Sequence, residues 1–210
     1  MLFNKSPEKF WNLIASKYAA SPIADQSAYQ SKIEKIKSYL SAENFVLDIG
    51  CATGTQCDDL ASDVKQVVGI DISSKLLAIA EQRKAGRKLE NVEFIHTSVF
   101  DDRFQAEKFD VVMAFYVLHF FEDINVVFKR VHKILKPGGL FISETSCMGE
   151  KSKGTGKIMR FIGQLGFLPK INLLTTEQLE QALEQAGFQL VDKVIFSKSN
   201  AEYTLFAKKT

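Results

Sequence analysis

The sequence predicts an α/β protein: a seven-stranded, mostly parallel sheet between two layers of helices, closed by an antiparallel C-terminal hairpin. Three observations carry that reading. Five strand-length runs, FVLDI (45–49), VVGID (67–71), VEFIH (92–96), DVVMAFY (110–116) and LFISET (140–145), are nearly continuous in apolar and β-branched residues. Strands buried on both faces of a parallel sheet have that composition, because neither face meets water. Helical patterns at about 55–62, 74–84 and 122–135 alternate with them, the order that builds strand–helix–strand units. Two last runs, 188–196 and 202–208, have no helix between them and so pair as an antiparallel hairpin at a sheet edge.

The elements follow in order. Ser6-Pro7 opens a first helix, since proline in the first turn has no amide hydrogen to lose. Phe10, Ile14 and Tyr18 recur at helical spacing before Ser21-Pro22 ends it. From Asp25, a second helix carries Tyr29, Ile33, Ile36 and Leu40 on one face, and Ser41–Asn44 is a loop. The helix after the fourth strand has the clearest stripe, Ile124, Val127, Phe128, Val131 and Leu135, stopped by Lys136-Pro137-Gly138-Gly139. Residues 149–170 mix five glycines with Lys151, Lys153, Lys157, Arg160 and Lys170. Thr175-Thr176-Glu177-Gln178 then has the pattern of a capping box for a helix ending at Gly187. One domain is expected: a helical cover over 1–44, a nucleus over 45–145, a substrate flap over 146–175, and a helix and hairpin over 176–210.

Composition narrows the function. A chain of 210 residues with 46% apolar and 25% charged residues can bury a full core. Lys and Arg number 27 against 25 Asp and Glu, too small an excess for a nucleic-acid footprint. No apolar run approaches the ~20 residues that span a bilayer, and charges interrupt the N-terminal stretch where a signal peptide needs an apolar centre. Three scattered cysteines, Cys51, Cys57 and Cys147, form neither a disulfide framework nor a zinc pattern. A soluble, cytoplasmic protein is expected, a monomer or homodimer without stable membrane insertion.

The informative stretch is Val46-Leu47-Asp48-Ile49-Gly50-Cys51-Ala52-Thr53-Gly54. A buried strand enters a glycine-containing turn that opens a helix, a geometry that lets a ligand approach bare backbone. Asp48 puts a carboxylate at the ligand end of the strand. Asp71 ends the next strand, 21 residues beyond Gly50, where a carboxylate can accept both hydroxyls of a ribose. A nicotinamide dinucleotide would use the same crevice, but its G-x-G-x-x-G fingerprint is broken by Ala52 and Thr55. A pyrophosphate would also be repelled by Asp48. A ligand with a ribose, no phosphate and a cationic end fits better, and S-adenosylmethionine has that description.

V-L-D-I-G-C-A-T-G, V-V-G-I-D, F-D-V-V-M-A-F-Y-V-L-H and L-K-P-G-G-L-F-I occur in this order and resemble the ordered motifs of class I S-adenosylmethionine-dependent methyltransferases. The resemblance implies a Rossmann-like sandwich and a methyl transfer to a small-molecule acceptor. It implies that Asp48, Gly50, Cys51 and Gly54 line the methionine part of the cofactor, that Asp71 holds the ribose, and that Ile72 meets the adenine. Ser98 and Val99 fall where relatives hold the adenine ring, with serine replacing the usual acid. Ala114 and Phe115 would flank the sulfonium, and Tyr18 would cover the cofactor. Ala52 replaces the central glycine, which a methyl group permits where φ is not positive. His119, just after the fourth strand, is the candidate general base or acceptor ligand. His96 reads as rim packing and His132 as surface. Trp11 reads as packing, Tyr116 faces the acceptor or the core, and Cys51 serves as a small apolar residue. The flap, basic above and apolar beneath through Phe161, Ile162, Leu165, Phe167 and Leu168, suits an anionic acceptor with an apolar portion. The alternatives are a non-catalytic protein that binds the cofactor or S-adenosylhomocysteine, and a nucleotide-binding oxidoreductase.

Overall fold

The computed structural model describes residues 6–145, 147, 169–197 and 203–210. Helix α1 (Pro7–Ala20) is capped by Ser6, whose hydroxyl accepts the Lys9 amide at 3.4 Å. Asp25 caps α2 (Gln26–Lys37) by accepting the Ala28 amide at 2.9 Å. There follow β1 (Phe45–Ile49), α3 (Thr55–Leu60), β2 (Gln66–Asp71), α4 (Ser74–Arg87), β3 (Val92–His96), β4 (Phe109–Phe115), α5 (Ile124–Ile134) and β5 (Leu135–Thr145). The chain ends with α6 (Thr176–Gln185), β6 (Phe188–Ile195) and β7 (Tyr203–Lys209). The expected capping box is present: Thr175 accepts from the Gln178 amide, and the Gln178 side chain accepts from the Thr175 amide.

The strands form one seven-stranded sheet in the order β3-β2-β1-β4-β5-β7-β6. β1 to β5 pair in parallel, and β7 runs antiparallel between β5 and β6. The chain winds outward from β1 to β3 and then returns to β4 on the other side of β1. In open sheets this reversal leaves a crevice at the carboxyl ends of the two central strands.

Two apolar cores lie on opposite faces, and the period of two along the strands divides the residues between them. On β4, Val112 and Ala114 join Phe128, Val131 and Leu183 beneath α5 and α6, while Val111, Met113 and Phe115 join Ile33, Ile36 and Leu60 beneath α2 and α3. The α5 stripe, Ile124, Val127, Phe128, Val131 and Ile134, is buried as its periodicity demands, each side chain contributing roughly 1.5–3 kcal/mol.

One boundary differs from expectation. Lys136–Gly139 ends α5 but does not form a loop, because β5 begins at Leu135. Leu135 pairs with Phe109, and the ladder resumes at Leu140 with Val111 across a register shift. Gly138, at φ +71, sits in that irregular part, and Lys136 anchors it by donating to both Asp110 carboxylate oxygens at 2.8 Å. Among the described residues, no helix is long and apolar enough to cross a membrane. The basic glycine-rich flap lies outside the described residues, apart from Cys147 and its end from Pro169 onward.

Candidate functional site

Helix α1 roofs the carboxyl ends of β1, β2 and β4, enclosing a cleft of about 520 Å³. The roof is pinned by Asn12, whose Oδ1 accepts from the Ser73 hydroxyl at 2.7 Å and the Lys75 amide at 3.0 Å. The floor is the loop after β1, which takes left-handed backbone at Gly50 (φ +73), Ala52 (φ +50) and Gly54 (φ +74). The Gly50 and Cys51 amides both donate to the Ile70 carbonyl, at 2.8 and 3.0 Å, which ties the loop to β2. A Cβ on Gly50 would come within 2.8 Å of Val117 Cγ2, so the backbone must stay bare there. Ala52 departs from expectation, since its φ is positive after all. The left-handed region costs an L-residue roughly 1–2 kcal/mol, and the Ala52 amide is held by donating to Asp71 Oδ2 at 3.0 Å.

Two buried acids face this loop. Asp71 accepts from Ala52 through Oδ2 and, at 2.7 Å, from the Ser73 amide through Oδ1. Each oxygen keeps a lone pair for a ligand. Burial raises the Asp71 pKa, opposed by those two amides. Asp48, 2% exposed, accepts from the Cys57 thiol at 3.4 Å. Burial pushes its carboxyl up to about 7, with the Asp71 charge acting in the same direction and the Cys57 hydrogen bond and Lys32 against it. Burial also pushes the Cys51 thiol up, which makes it the small apolar wall that its position suggested. Among the described residues, neither lysine nor arginine lines the cleft. A pyrophosphate would find no cation there, whereas a ribose and a positively charged group would find Asp71 and Asp48.

A methyltransferase-domain family model matches residues 47–143, the strands and loops that build this cleft. Over that segment the chain matches the methyltransferase domain, in keeping with the class I S-adenosylmethionine-dependent superfamily that its motifs resemble. A ubiquinone biosynthesis O-methyltransferase of Brucella anthropi is 30% identical over 157 residues, covering 71% of this chain. The chain spans 61% of that relative's length. An uncharacterized methyltransferase of Schizosaccharomyces pombe is 28% identical over 205 residues, covering 88% of this chain and 72% of its own. Among solved structures, a methyltransferase from Methanosarcina mazei superposes with a TM-score of 0.67 at 20% identity, covering 83% of this chain and 96% of that one. The cyclase SpnF superposes at 0.76 with 18% identity, covering 96% and 94%. Likeness at that identity is one of fold.

Of the residues that the superfamily motifs single out, Tyr18, Asp48, Gly50, Cys51, Asp71, Ile72, Ser98, Val99, Phe115 and His119 all line the cleft. Gly54 and Ala114 do not. Gly54 is the left-handed cap of α3, packed so closely that a Cβ would meet Phe94 Cζ at 2.4 Å. Ala114 faces the core beneath α5, because the alternation along β4 aims Phe115, not Ala114, toward α2. His119 is 7% exposed, lies in a single 3₁₀ turn after β4, and has its ring 4.1 Å from that of Phe120. Trp11 packs edge-on against Phe120 at 5.3 Å and forms part of the cleft wall. His96 bonds the Ile72 carbonyl at 2.9 Å at the rim. His132, read as a surface residue, is half-buried: it packs edge-on against Phe188, and burial lowers its pKa.

A second cavity, of about 660 Å³, shares Tyr18, Cys51, Ala52, Gln56 and Tyr116 with the first. Its other lining includes Tyr29, Lys32 and Glu144. Lys32 and Glu144 form an ion pair at 2.5 Å, each side chain 6% exposed. Sequence reading passed over both. The signal was a lysine inside the apolar face of α2, one residue before Ile33 and three after Tyr29, and an acid at the end of an otherwise apolar strand. The Tyr29 hydroxyl donates to Asp59 at 2.7 Å, which fixes the ring at the cavity wall.

Proposed function

We propose that the chain transfers a methyl group from S-adenosylmethionine to a small-molecule acceptor by direct displacement. The observation that carries this is the pair of buried acids, Asp48 and Asp71, at adjoining strand ends of a cleft that, among the described residues, neither lysine nor arginine lines. The bound cofactor supplies a methyl group on a sulfonium, already an excellent leaving group, so the protein's task is chiefly alignment. Asp71 accepts the ribose hydroxyls, and Asp48 stabilises the cationic end. Ile72, Ser98 and Val99 sit against the adenine, and Gly50 and Cys51 let the methionine part lie on the backbone. Tyr18 covers the cofactor, Phe115 borders the reacting end, and His119 is a candidate base where the acceptor must lose a proton. The name of the Brucella relative, an O-methyltransferase of ubiquinone biosynthesis, favours a small organic acceptor. We read the chain as one cytoplasmic domain acting as a monomer or homodimer.

Calorimetry separates this reading from its rivals. S-adenosylmethionine and S-adenosylhomocysteine should bind with one-to-one stoichiometry, and nicotinamide dinucleotides should not. Binding of a dinucleotide alone would overturn the proposal in favour of an oxidoreductase. Tight cofactor binding with no turnover across a broad acceptor panel would favour a binding protein.

A further inference from the structure

We propose that Lys32 and Glu144 form the acceptor-recognition and proton-accepting pair of this site, and that the acceptor is a neutral aromatic hydroxyl compound. This rests on the methyltransferase reading above and goes beyond it by naming residues and a substrate class.

The pair is placed for that task. Glu144 lies near the carboxyl end of β5 and Tyr116 just beyond the end of β4; the Tyr116 amide donates to the Glu144 carbonyl at 2.8 Å. Tyr116 and Tyr18 belong to the walls of both cavities, so the second cavity opens beside the first. The Lys32 ammonium sits 4.9 Å from the centre of the Phe115 ring, 5.4 Å from Tyr116 and 5.7 Å from Tyr29. Phe115 also lines the cofactor cleft. An acceptor held at the ion pair therefore lies next to the bound cofactor's reacting end.

Energetics argue that the pair is there for more than stability. Removing two ionised groups from water costs several kcal/mol per ion, and their attraction repays this only when further hydrogen bonds satisfy them. Among the described residues Lys32 has one hydrogen-bond partner, Glu144, for three N–H donors. A pair that served only packing would be as well replaced by apolar side chains. A pair that reads a ligand needs unused donors and acceptors facing a cavity.

The chemistry of the cavity selects the acceptor. Lys32 already neutralises Glu144, so the pair presents no net charge and favours a neutral compound. The surrounding rings, Tyr18, Tyr29, Tyr116 and Phe196, favour a planar aromatic body. A hydroxyl can donate to the Glu144 carboxylate and accept from the Lys32 ammonium. In the transfer, a lone pair of the hydroxyl oxygen forms the bond to the methyl carbon, and the carbon–sulfur bonding pair leaves with sulfur. The hydroxyl proton passes to the Glu144 carboxylate, which takes the base's role from His119 and leaves His119 as part of the cofactor-cleft wall. Lys32 stays an ammonium and is the positioning residue.

The test uses the full chain loaded with S-adenosylhomocysteine and a panel of catechol, phenol and benzoate, with binding read by saturation-transfer NMR. Catechol and phenol should bind the wild type and benzoate should not. The variants are Lys32→Arg, Glu144→Gln and the double variant Lys32→Met/Glu144→Gln, which leaves no buried charge unpaired. The double variant should bind S-adenosylhomocysteine within about twofold of wild type and catechol on the order of tenfold more weakly or worse. Lys32→Arg should retain catechol binding. For the best-bound phenol, Glu144→Gln should lower kcat far more than it raises KM. The proposal is overturned if no phenol binds the loaded wild type, or if catechol binding survives the double variant. It is also overturned if the double variant loses S-adenosylhomocysteine, which would assign Lys32 to the cofactor's carboxylate. Failure of the wild type to bind S-adenosylhomocysteine would instead defeat the methyltransferase reading itself.

Discussion

At the carboxyl ends of β1 and β2, the cleft is lined by the glycine-containing loop and two aspartates, drawn from residues 48–71. At the ends of β4 and β5, aromatic rings line it, and an ion pair whose partners lie 112 residues apart lines the adjoining cavity. The first region is rigid by local construction: three left-handed residues and two amides on one carbonyl leave the loop little freedom. The second is assembled from α2, β4 and β5, so its geometry depends on how those elements pack. A half that recognises an invariant ligand can be written into a single strand–loop–helix. On the proposed reading, the half that would select an acceptor is built where side chains can be exchanged without disturbing that loop.

The largest expected effect strikes the assembled half. Lys32→Ala leaves the Glu144 carboxylate buried without its partner and should destabilise the fold by roughly 3–5 kcal/mol. Urea denaturation would measure this, and a loss below about 1 kcal/mol would mean that the pair is wet. Next comes the rigid half. Gly54→Val combines a positive φ with a Cβ 2.4 Å from Phe94 Cζ, a penalty of roughly 3 kcal/mol. Calorimetric melting should show a Tm lower by about 10 °C.

A pH experiment sharpens the contrast further. The folded-state pKa of Asp48, about 7, lies above its ordinary value of 3.8. The folded protein thus holds this proton more tightly than the unfolded chain does. The associated stability is fully present below about pH 4 and lost as the pH rises through about 7. Asp48→Asn should therefore melt higher than wild type at about pH 8, with the gap closing as the pH falls toward 4. A gap independent of pH would show that Asp48 ionises freely in the fold. The smallest effect is a control: Gly86 in α4 has open space around its Cβ position, so Gly86→Ala should stabilise by about 0.5–1 kcal/mol, seen as a Tm higher by a few degrees.

The same contrast explains what was legible in the sequence. Asp48, Gly50 and Asp71 could be found from spacing, because one strand, one turn and the next strand end fix their relation. Ala114 and Phe115 are neighbours in one apolar run, and only the sheet's two faces decide which meets the cleft. The positive φ of Ala52 was hidden because alanine carries no signal for it, and the strain is offset by the hydrogen bond to Asp71. Lys32 and Glu144 were illegible as a pair because nothing local links α2 to β5. The switch at Leu135 from α5 directly into β5 was masked by Pro137-Gly138-Gly139, which ends a helix equally well before a loop or a strand.

The most direct measurement is calorimetric titration of S-adenosylmethionine into the wild type and into Asp71→Ala. The wild type should bind at a single site, and the variant at least about tenfold more weakly, with its far-ultraviolet circular dichroism unchanged. Equal affinity in the two proteins would contradict the placement of the ribose at Asp71, and with it the reading of the cleft.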